Sequence, residues 1–218
     1  MEQERSAPKG ILGVILAGGR GLRLGGGEKS LVPLADRPLG AHVAARLAPQ
    51  LPAGRLLLNA NGPPGAYAAI GLPVVADADA TRPGPLAGLS AVMQAAKRIA
   101  PDATWVLSAP TDTPFVPRDL VARFAIVAAE GGAEIVLGSS AGGLCQVCGL
   151  WSVTLLSGLA EALASGQNKV MWFVEQHRWA QVTFPPEAIG AELVDPFFNI
   201  NTPADLKWAV ELLRSKSS

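Results

Sequence analysis

The chain has 218 residues, of which 49% are hydrophobic and 17% are charged, and this composition fits one compact folded domain. Its 18 basic residues balance 18 acidic ones, so no overall charge attracts nucleic acid, and any anionic ligand must be bound locally. No run of about eighteen apolar residues could span a membrane, and the opening residues lack the apolar stretch of a secretory signal. We therefore predict a disordered tail over residues 1–10, a single domain over residues 11–214, and a cytoplasmic protein with no membrane or nucleic-acid partner.

A glycine-rich loop follows the first apolar run, Ile11–Leu16, and carries three cations in the sequence LAGGRGLRLGGGEK over residues 16–29. Glycine allows backbone N–H groups to approach phosphate oxygens, while arginine and lysine supply the opposite charge. The Walker A pattern fails because Glu28 directly precedes Lys29, and the dinucleotide fingerprint fails because its third glycine would fall on Leu24. An ordinary surface loop is the alternative, but the placement of the cations favours a polyphosphate site.

Apolar runs alternate with amphipathic segments through the first half of the chain, which is the rhythm of a parallel α/β sheet. In the first predicted helix, Arg46 is expected at the margin of the apolar stripe. The second half is less regular, and we expect it to add antiparallel pairs to the sheet. The predicted strands are Ile11–Leu16, Arg55–Ala60, Pro73–Ala76 and Thr104–Ala109, the predicted helices are Pro38–Pro49 and Leu86–Ile99, and the later runs are Glu134–Gly138, Leu144–Trp151, Val182–Phe184 and Phe197–Ile200.

Polar side chains come directly after predicted strands, where ligands bind in a parallel sheet. Asn59 and Asp77 have groups that could bind a nucleoside, although both residue types are also common in turns. Residues 81–88 open a helix, whose N-terminus favours anions. Asp112 stands between two prolines and is the best candidate ligand for Mg²⁺, which takes one or two carboxylates in phosphoryl chemistry. The alternative is that Asp112 caps the helix expected from Pro117, or a turn.

The two cysteines, Cys145 and Cys148, are spaced as C-x-x-C, but the two histidines lack the ligand spacing of a zinc site. The surrounding residues, Leu144–Trp151, indicate a buried strand, in which positions i and i+3 face opposite sides of the sheet. We therefore predict inert core cysteines rather than a redox pair or a metal site.

Six motifs together resemble the molybdenum cofactor guanylyltransferase family, and the match runs from about Leu12 to Leu206. Related cytidylyltransferases more often have LAAG at the strand end, so Gly18, Gly19 and the late NINTP favour guanylyl transfer. The resemblance implies a Rossmann-like three-layer α/β nucleotidyltransferase fold with a mostly parallel, partly mixed sheet. The motifs are the glycine loop, NAN at 59–61, PVVAD at 73–77, GPLAG at 84–88, PTDTPFVP at 110–117 and FFNINTPADL at 197–206.

The resemblance also implies a role for particular residues. The catalytic group comprises Lys29, Arg23 and Asp112. The nucleotide-binding group comprises Leu16, Ala17, Gly18, Gly19, Lys29, Asn59, Asp77 and Asp112, with Asp112 also the metal ligand for the Mg²⁺ cofactor. The group on the side of the pterin substrate comprises Gly84, Gly88, Asn199 and Asn201. The chain departs from the family where Cys145-Gln146-Val147 replaces a common His-Pro, on the acceptor side.

The activity implied by the resemblance is attack of the terminal phosphate of molybdenum-molybdopterin on the α-phosphorus of GTP, with loss of pyrophosphate. The attacking group is already an anion, so positioning and charge neutralisation suffice without a general base. Other molybdenum cofactor biosynthesis proteins and apo-molybdoenzymes are further expected partners. One alternative is a molybdopterin cytidylyltransferase or a phosphosugar nucleotidyltransferase of the same fold. Another is a non-catalytic carrier, but Lys29 and Asp112 are intact, and a carrier has no need of a metal-held triphosphate.

Overall fold

The structure is a computed structural model that describes residues 10–17, 24, 26–78 and 84–215. The predictions for residues 1–9 of the opening tail and for Gly18, Gly19 and Arg23 therefore lie outside the described residues. Within those residues the strands are β1 (Ile11–Leu16), β2 (Pro33–Leu34), β3 (Arg37–Pro38), β4 (Leu56–Asn59), β5 (Val74–Val75), β6 (Trp105–Pro110), β7 (Ile135–Ser140), β8 (Gly143–Ser152), β9 (Trp179–Thr183), β10 (Glu187–Ile189) and β11 (Glu192–Val194). The helices are α1 (Leu39–Leu47), α2 (Pro85–Ile99), α3 (Leu120–Gly131), α4 (Leu156–Ala164), α5 (Val170–Val174) and α6 (Pro203–Ser215).

Seven of the strands in the described part of the chain form one mixed sheet in the order β5-β4-β1-β6-β8-β7-β9. The pairs β5–β4, β4–β1, β1–β6 and β7–β9 are parallel, whereas β8 runs antiparallel to both of its neighbours. The predicted mostly parallel and partly mixed α/β sheet is confirmed. Parallel order follows from the helical crossovers, which return the chain to the same end of the sheet.

Helices cover both faces of the sheet, which explains why every residue of β1 is buried. Side chains of β1 alternate between two cores: Ile11 and Ile15 pack in the core that contains α1 and α3, and Leu12 and Val14 pack in the core that contains α2, α4 and α5. The predicted three-layer arrangement is therefore present. No helix in the described ranges has the length and apolar character needed to cross a bilayer.

The first helix differs from its prediction in the residue at which it begins and in the burial of Arg46. It begins at Leu39, because Pro38 has an extended backbone and pairs with Pro33 in the β2–β3 hairpin. Arg46, expected at the margin, is only 8% exposed. Its guanidinium donates to the carbonyls of Phe115 and Val116 and forms an ion pair with Glu187. The buried charge is thus hydrogen-bonded and paired, as burial requires.

The predicted strand-like run Phe197–Ile200 is not a strand. Phe197 N–H donates to the carboxylate of Asp195 at 2.8 Å, and Ile200 N–H donates to the carbonyl of Asp112 at 2.9 Å. These bonds fold the segment across the end of the sheet, so it lies beside the loop after β6 instead of joining the sheet edge. A third apolar cluster, which includes Leu34, Phe115 and Ile200, packs β10, β11 and α6 against this end.

The expectation that Cys145 and Cys148 face opposite sides of a strand is wrong. The register between β7 and β8 shifts, so that Leu137 pairs with Gly149 but the next residue, Gly138, pairs with Cys145. The residues between Cys145 and Gly149 form a bulge, which interrupts the two-residue alternation. Both thiols consequently pack on the same core, where each shifts the pKa of the other.

Candidate active site

Lys29 joins two segments that are distant in sequence. It lies in the 3₁₀ turn Lys29–Leu31 and is 9% exposed. Its Nζ donates to Oδ2 of Asp112 and to Oδ1 of Asn201, each at 2.6 Å. An ammonium group this buried needs such partners, because an unpaired charge away from water is costly. Lys29, Asp112 and Asn201 are termed the lysine cluster below.

Asp112 occupies the turn that follows the central strand β6, as the sequence predicted. The turn is fixed by Thr113 Oγ1, which donates to the carbonyl of Pro110 at 3.1 Å, and by the Ile200 N–H that donates to the Asp112 carbonyl. Asp112 does not cap α3, because that helix begins at Leu120 and the Asp112 carboxylate is bonded to Lys29. Its side chain is 21% exposed, which leaves it accessible to a ligand.

Asn201 is positioned by the start of α6. Asp205 Oδ2 accepts from the backbone N–H groups of Asn201 at 2.9 Å and Thr202 at 2.8 Å, and Thr202 Oγ1 accepts from the Asp205 N–H at 3.2 Å. This reciprocal pattern is a capping box, with Asp in place of the more usual Glu or Gln. The bonds from Asn201 and Thr202 lower the pKa of the Asp205 carboxyl. Sequence analysis did not assign Asp205 a positioning role, although the spacing T-P-A-D was a visible signal for it.

A second polar cluster lies after β4 and β5. Asn59 Nδ2 donates to Asp77 Oδ1 at 2.9 Å and to the carbonyl of Val75 at 3.1 Å. Asn61 Nδ2 donates to Asp77 Oδ2 at 2.8 Å, and the Asp77 N–H returns a bond to Asn61 Oδ1 at 2.8 Å. The structure therefore brings the predicted Asn59 and Asp77 together and fixes the loops of two neighbouring strands to each other.

The two clusters border one cavity of about 280 Å³ at the carboxyl ends of β1, β4 and β6. It is lined by Leu16, Lys29, Asn59, Gly84, Pro85, Pro110, Thr111, Asp112 and Val147. Sequence analysis missed Thr111 and Val147 as lining residues, because neither has a chemical signature of ligand binding. Ala17 is fully buried, and its N–H is already donated to the Asn59 carbonyl at 2.9 Å. This N–H is therefore engaged within the protein, and Ala17 lies behind the cavity wall rather than in it.

The residues predicted on the acceptor side are distributed over several places. Gly84 lines the cavity just described, and Gly88 is buried in α2 so close to Asn59 that a Cβ would collide with its amide. Asn201 belongs to the lysine cluster. Asn199 is exposed and lies in a neighbouring cavity of about 250 Å³, together with Cys145 and residues of the β7–β8 turn.

That neighbouring cavity has a fixed polar wall that sequence analysis did not identify. Asp195 Oδ2 accepts from the hydroxyl of Ser140 at 2.7 Å and from the N–H of Gly142 at 3.0 Å. The carboxylate therefore connects the β7–β8 turn to the segment that carries Asn199. Asp195 precedes a proline in an irregular segment, so its sequence context gave no signal of this contact.

Comparison with known proteins gives a consistent result. Residues 13–181 match the family model described as the MobA-like NTP transferase domain. The chain is 44% identical over 194 residues to a molybdenum cofactor guanylyltransferase of Rhodopseudomonas palustris, covering 88% of this chain and 89% of that protein. It is 41% identical over 204 residues to one of Cereibacter sphaeroides, covering 94% and 97% of the two chains.

Solved structures share the fold. Molybdopterin-guanine dinucleotide biosynthesis protein A from Archaeoglobus fulgidus is similar with a TM-score of 0.71 at 21% identity, covering 94% of this chain and 98% of that chain. A 2-C-methyl-D-erythritol 4-phosphate cytidylyltransferase from Thermus thermophilus is similar with a TM-score of 0.63 at 22% identity, covering 94% and 99%. Because proteins that act on different nucleotides share this architecture, the fold alone does not decide the base.

Proposed function

Because this chain belongs to the molybdenum cofactor guanylyltransferase family of MobA-like NTP transferases, we propose that it transfers GMP from GTP to molybdenum-molybdopterin. A phosphate oxygen of molybdopterin forms a bond to the α-phosphorus, the bond from that phosphorus to the bridging oxygen of the β-phosphate breaks, and pyrophosphate leaves. The product is the molybdopterin guanine dinucleotide cofactor. The observation that carries this proposal is the lysine cluster, which places a cation and a carboxylate in the wall of one cavity and an amide bonded to that cation.

Lys29 supplies the countercharge to the triphosphate. Its amine is held by Asp112 and Asn201, which position the charge at the cavity. A group that is positioned in advance loses little freedom when the transition state forms, and this is the main source of electrostatic catalysis. Arg23 is proposed to face the phosphates as well, on the basis of the glycine-loop motif alone.

The oxygen donors of the site fit a magnesium ion. Asp112 offers a carboxylate, and Asn201 offers an amide oxygen. Among the described residues no group of three or more His, Cys, Asp or Glu side chains could hold a metal unaided. Mg²⁺ is commonly held by one or two carboxylates and completed by water and substrate phosphates, so Asp112 would hold it together with the triphosphate. Bound there, the ion would neutralise charge on the phosphates and on the departing pyrophosphate.

The roles proposed for the remaining residues depend on which of the two cavities each residue lies near. Asn59 and Asp77 are proposed to bind the nucleoside together with Leu16 and Ala17, while Gly18 and Gly19 approach the phosphates. Gly84 lies on the wall of the 280 Å³ cavity, which is termed the nucleotide cavity below, and Gly88 leaves room for the side chain of Asn59. Asn199 is proposed to meet the pterin from the neighbouring cavity.

The alternatives fit less well. The curated relatives at 41–44% identity are guanylyltransferases, which favours GTP over CTP. A carrier would not need a buried lysine held at a phosphate cavity. The proposed cytoplasmic location, and transfer of the product to apo-molybdoenzymes or other biosynthesis proteins, rest on the sequence expectation.

The test is pyrophosphate release measured with each of the four nucleoside triphosphates, with and without molybdopterin. Release with GTP that requires molybdopterin is the expected result. Release with CTP instead would identify a cytidylyltransferase, and binding of GTP without any release would identify a carrier.

A further inference from the structure

A second and larger cavity, of about 670 Å³, lies on another flank of the protein. It shares none of its lining residues with the nucleotide cavity. It forms where α1, the β2–β3 hairpin, the segment after Asp112, β10 and the end of α6 meet. Four arginines line it, namely Arg37, Arg46, Arg118 and Arg214, and it is termed the arginine cavity.

Three of these guanidinium groups have weak ion pairs or none. Arg46 is occupied by Glu187 and by two backbone carbonyls. The carboxylate nearest to Arg37 is that of Asp36, at 3.6 Å. The carboxylate nearest to Arg118 is that of Glu187, at 3.8 Å, and Glu187 already pairs with Arg46. Arg214 has no carboxylate partner within the described part of the chain.

The charge at this place is therefore unbalanced, although the whole chain is neutral. The four positive charges of the arginines are near only two negative charges, those of Asp36 and Glu187. Elsewhere in the described chain, the half-buried Arg55 has a closer partner, Asp102 at 2.6 Å, and the exposed Arg98 stands alone outside any cluster of arginines. Bringing like charges together in a concave surface is unfavourable without a counterion, so the arrangement is suited to a bound anion.

The side chains that line the cavity indicate which kind of anion it would bind. A guanidinium presents a planar fork of donors that matches the oxygens of phosphate. The cavity also has accessible apolar side chains, from Ala35, Ala45 and Leu213, which would contact the organic part of a ligand. Its volume lies within the range of small-molecule sites.

We propose that the arginine cavity binds a phosphorylated small organic molecule, with its phosphate groups on Arg37, Arg118 and Arg214 and its carbon skeleton against Ala45 and Leu213. The site is separate from the proposed guanylyl-transfer site. His42 also lines the arginine cavity, and its ring is held in place by a 2.7 Å hydrogen bond between Nε2 and the carbonyl of Leu34.

The test uses fructose 1,6-bisphosphate as a probe that has two phosphates and no nucleobase. It is titrated calorimetrically into the full-length protein saturated with GTP, without an acceptor. We expect one equivalent to bind. The Arg118→Gln and Arg214→Gln double variant should weaken binding roughly tenfold or more, since each loses a charge-assisted hydrogen bond.

The matched control is the Arg98→Gln and Arg178→Gln double variant, which removes two exposed arginines outside the cavity. It should leave the affinity within about twofold, below 0.5 kcal/mol. Absence of probe binding, or equal weakening in both double variants, overturns the proposal. Pyrophosphate release from GTP with molybdopterin, measured on the same Arg118 and Arg214 variant, should be unchanged, so that failure here and failure of the guanylyl-transfer proposal are distinguishable.

Discussion

Lys29 Nζ donates a 2.6 Å hydrogen bond to Asn201 Oδ1, although 172 positions separate the two residues in the sequence. The bond connects the end of the glycine loop to the segment that begins α6. Together with the ion pair to Asp112, it holds the amine at the nucleotide cavity. The site is thus assembled from three parts of the chain, and its residues can be tested one at a time.

Lys29→Ala should lower the rate of guanylyl transfer by about a hundredfold or more, which corresponds to about 3 kcal/mol of lost transition-state stabilisation. The reason is the loss of a charge-assisted contact to the triphosphate. The measurement is pyrophosphate release at saturating GTP and molybdopterin. Lys97→Ala, which removes an exposed lysine at the end of α2, serves as the control. Near-normal turnover of Lys29→Ala would remove Lys29 from the proposed mechanism.

Asp112→Asn should keep the turn after β6 but remove the charge that pairs with Lys29 and would hold the metal. We expect the free energy of unfolding to fall by only about 1–2 kcal/mol, because the amide oxygen can still accept a hydrogen bond. Turnover should fall far more, by about a hundredfold or more. Thermal unfolding and the Mg²⁺ dependence of guanylyl transfer are measured on the same sample. Full activity with unaltered Mg²⁺ dependence would contradict the metal assignment.

Gly88→Ala should weaken GTP binding by displacing Asn59. A Cβ at this position would lie 2.9 Å from both Asn59 Cγ and Leu16 Cδ2, and closer still to Asn59 Oδ1, so these side chains must move. We expect roughly a tenfold increase in the dissociation constant, or about 1.4 kcal/mol. The control is Gly158→Ala in α4, where the nearest atom would be 3.7 Å away. Unchanged GTP affinity in Gly88→Ala would show that the position of Asn59 does not matter for binding.

His42 should make folding stability depend on pH. Burial lowers the pKa of His42 below its ordinary value of 6.5, and the nearby charges of Arg37 and Arg46 lower it further. The unfolded chain then binds a proton at a higher pH than the folded chain, so stability is lost as the pH falls below 6.5. Denaturant unfolding between neutral and acid pH should show a smaller loss in His42→Gln than in the unsubstituted protein. Identical pH profiles would contradict the prediction.

Cys145 should react with iodoacetamide before Cys148. The hydrogen bond from Cys148 lowers the pKa of the Cys145 thiol, whereas burial raises the pKa of Cys148 well above its ordinary value. Replacing Cys148 by alanine should therefore raise the pKa of Cys145 and slow its alkylation near neutral pH, because the thiolate is the reactive form. Peptide mass spectrometry measures the modification at each site. Faster modification of Cys148, or an unchanged rate at Cys145 in Cys148→Ala, would be inconsistent with this hydrogen bond.

The sequence alone was enough for features that depend on local patterns. Apolar runs alternating with amphipathic segments predicted the α/β sheet, since strand and helix periodicities are local properties. The position of Asp112 after a central strand predicted its place at the carboxyl edge of the sheet. The motifs from the glycine loop to the late NINTP identified the family.

Tertiary structure decided what depends on register and on distant partners. Gly138 pairs with Cys145 because β7 and β8 shift register, and no periodicity within β8 could reveal a bulge set by its neighbour. Arg46 was expected at a margin and is buried, because Glu187 supplies its counter-charge from 141 positions away. The arginine cavity likewise exists only where five separate parts of the chain meet. In each case the local conformation is stabilised by contacts between residues that are far apart in the sequence.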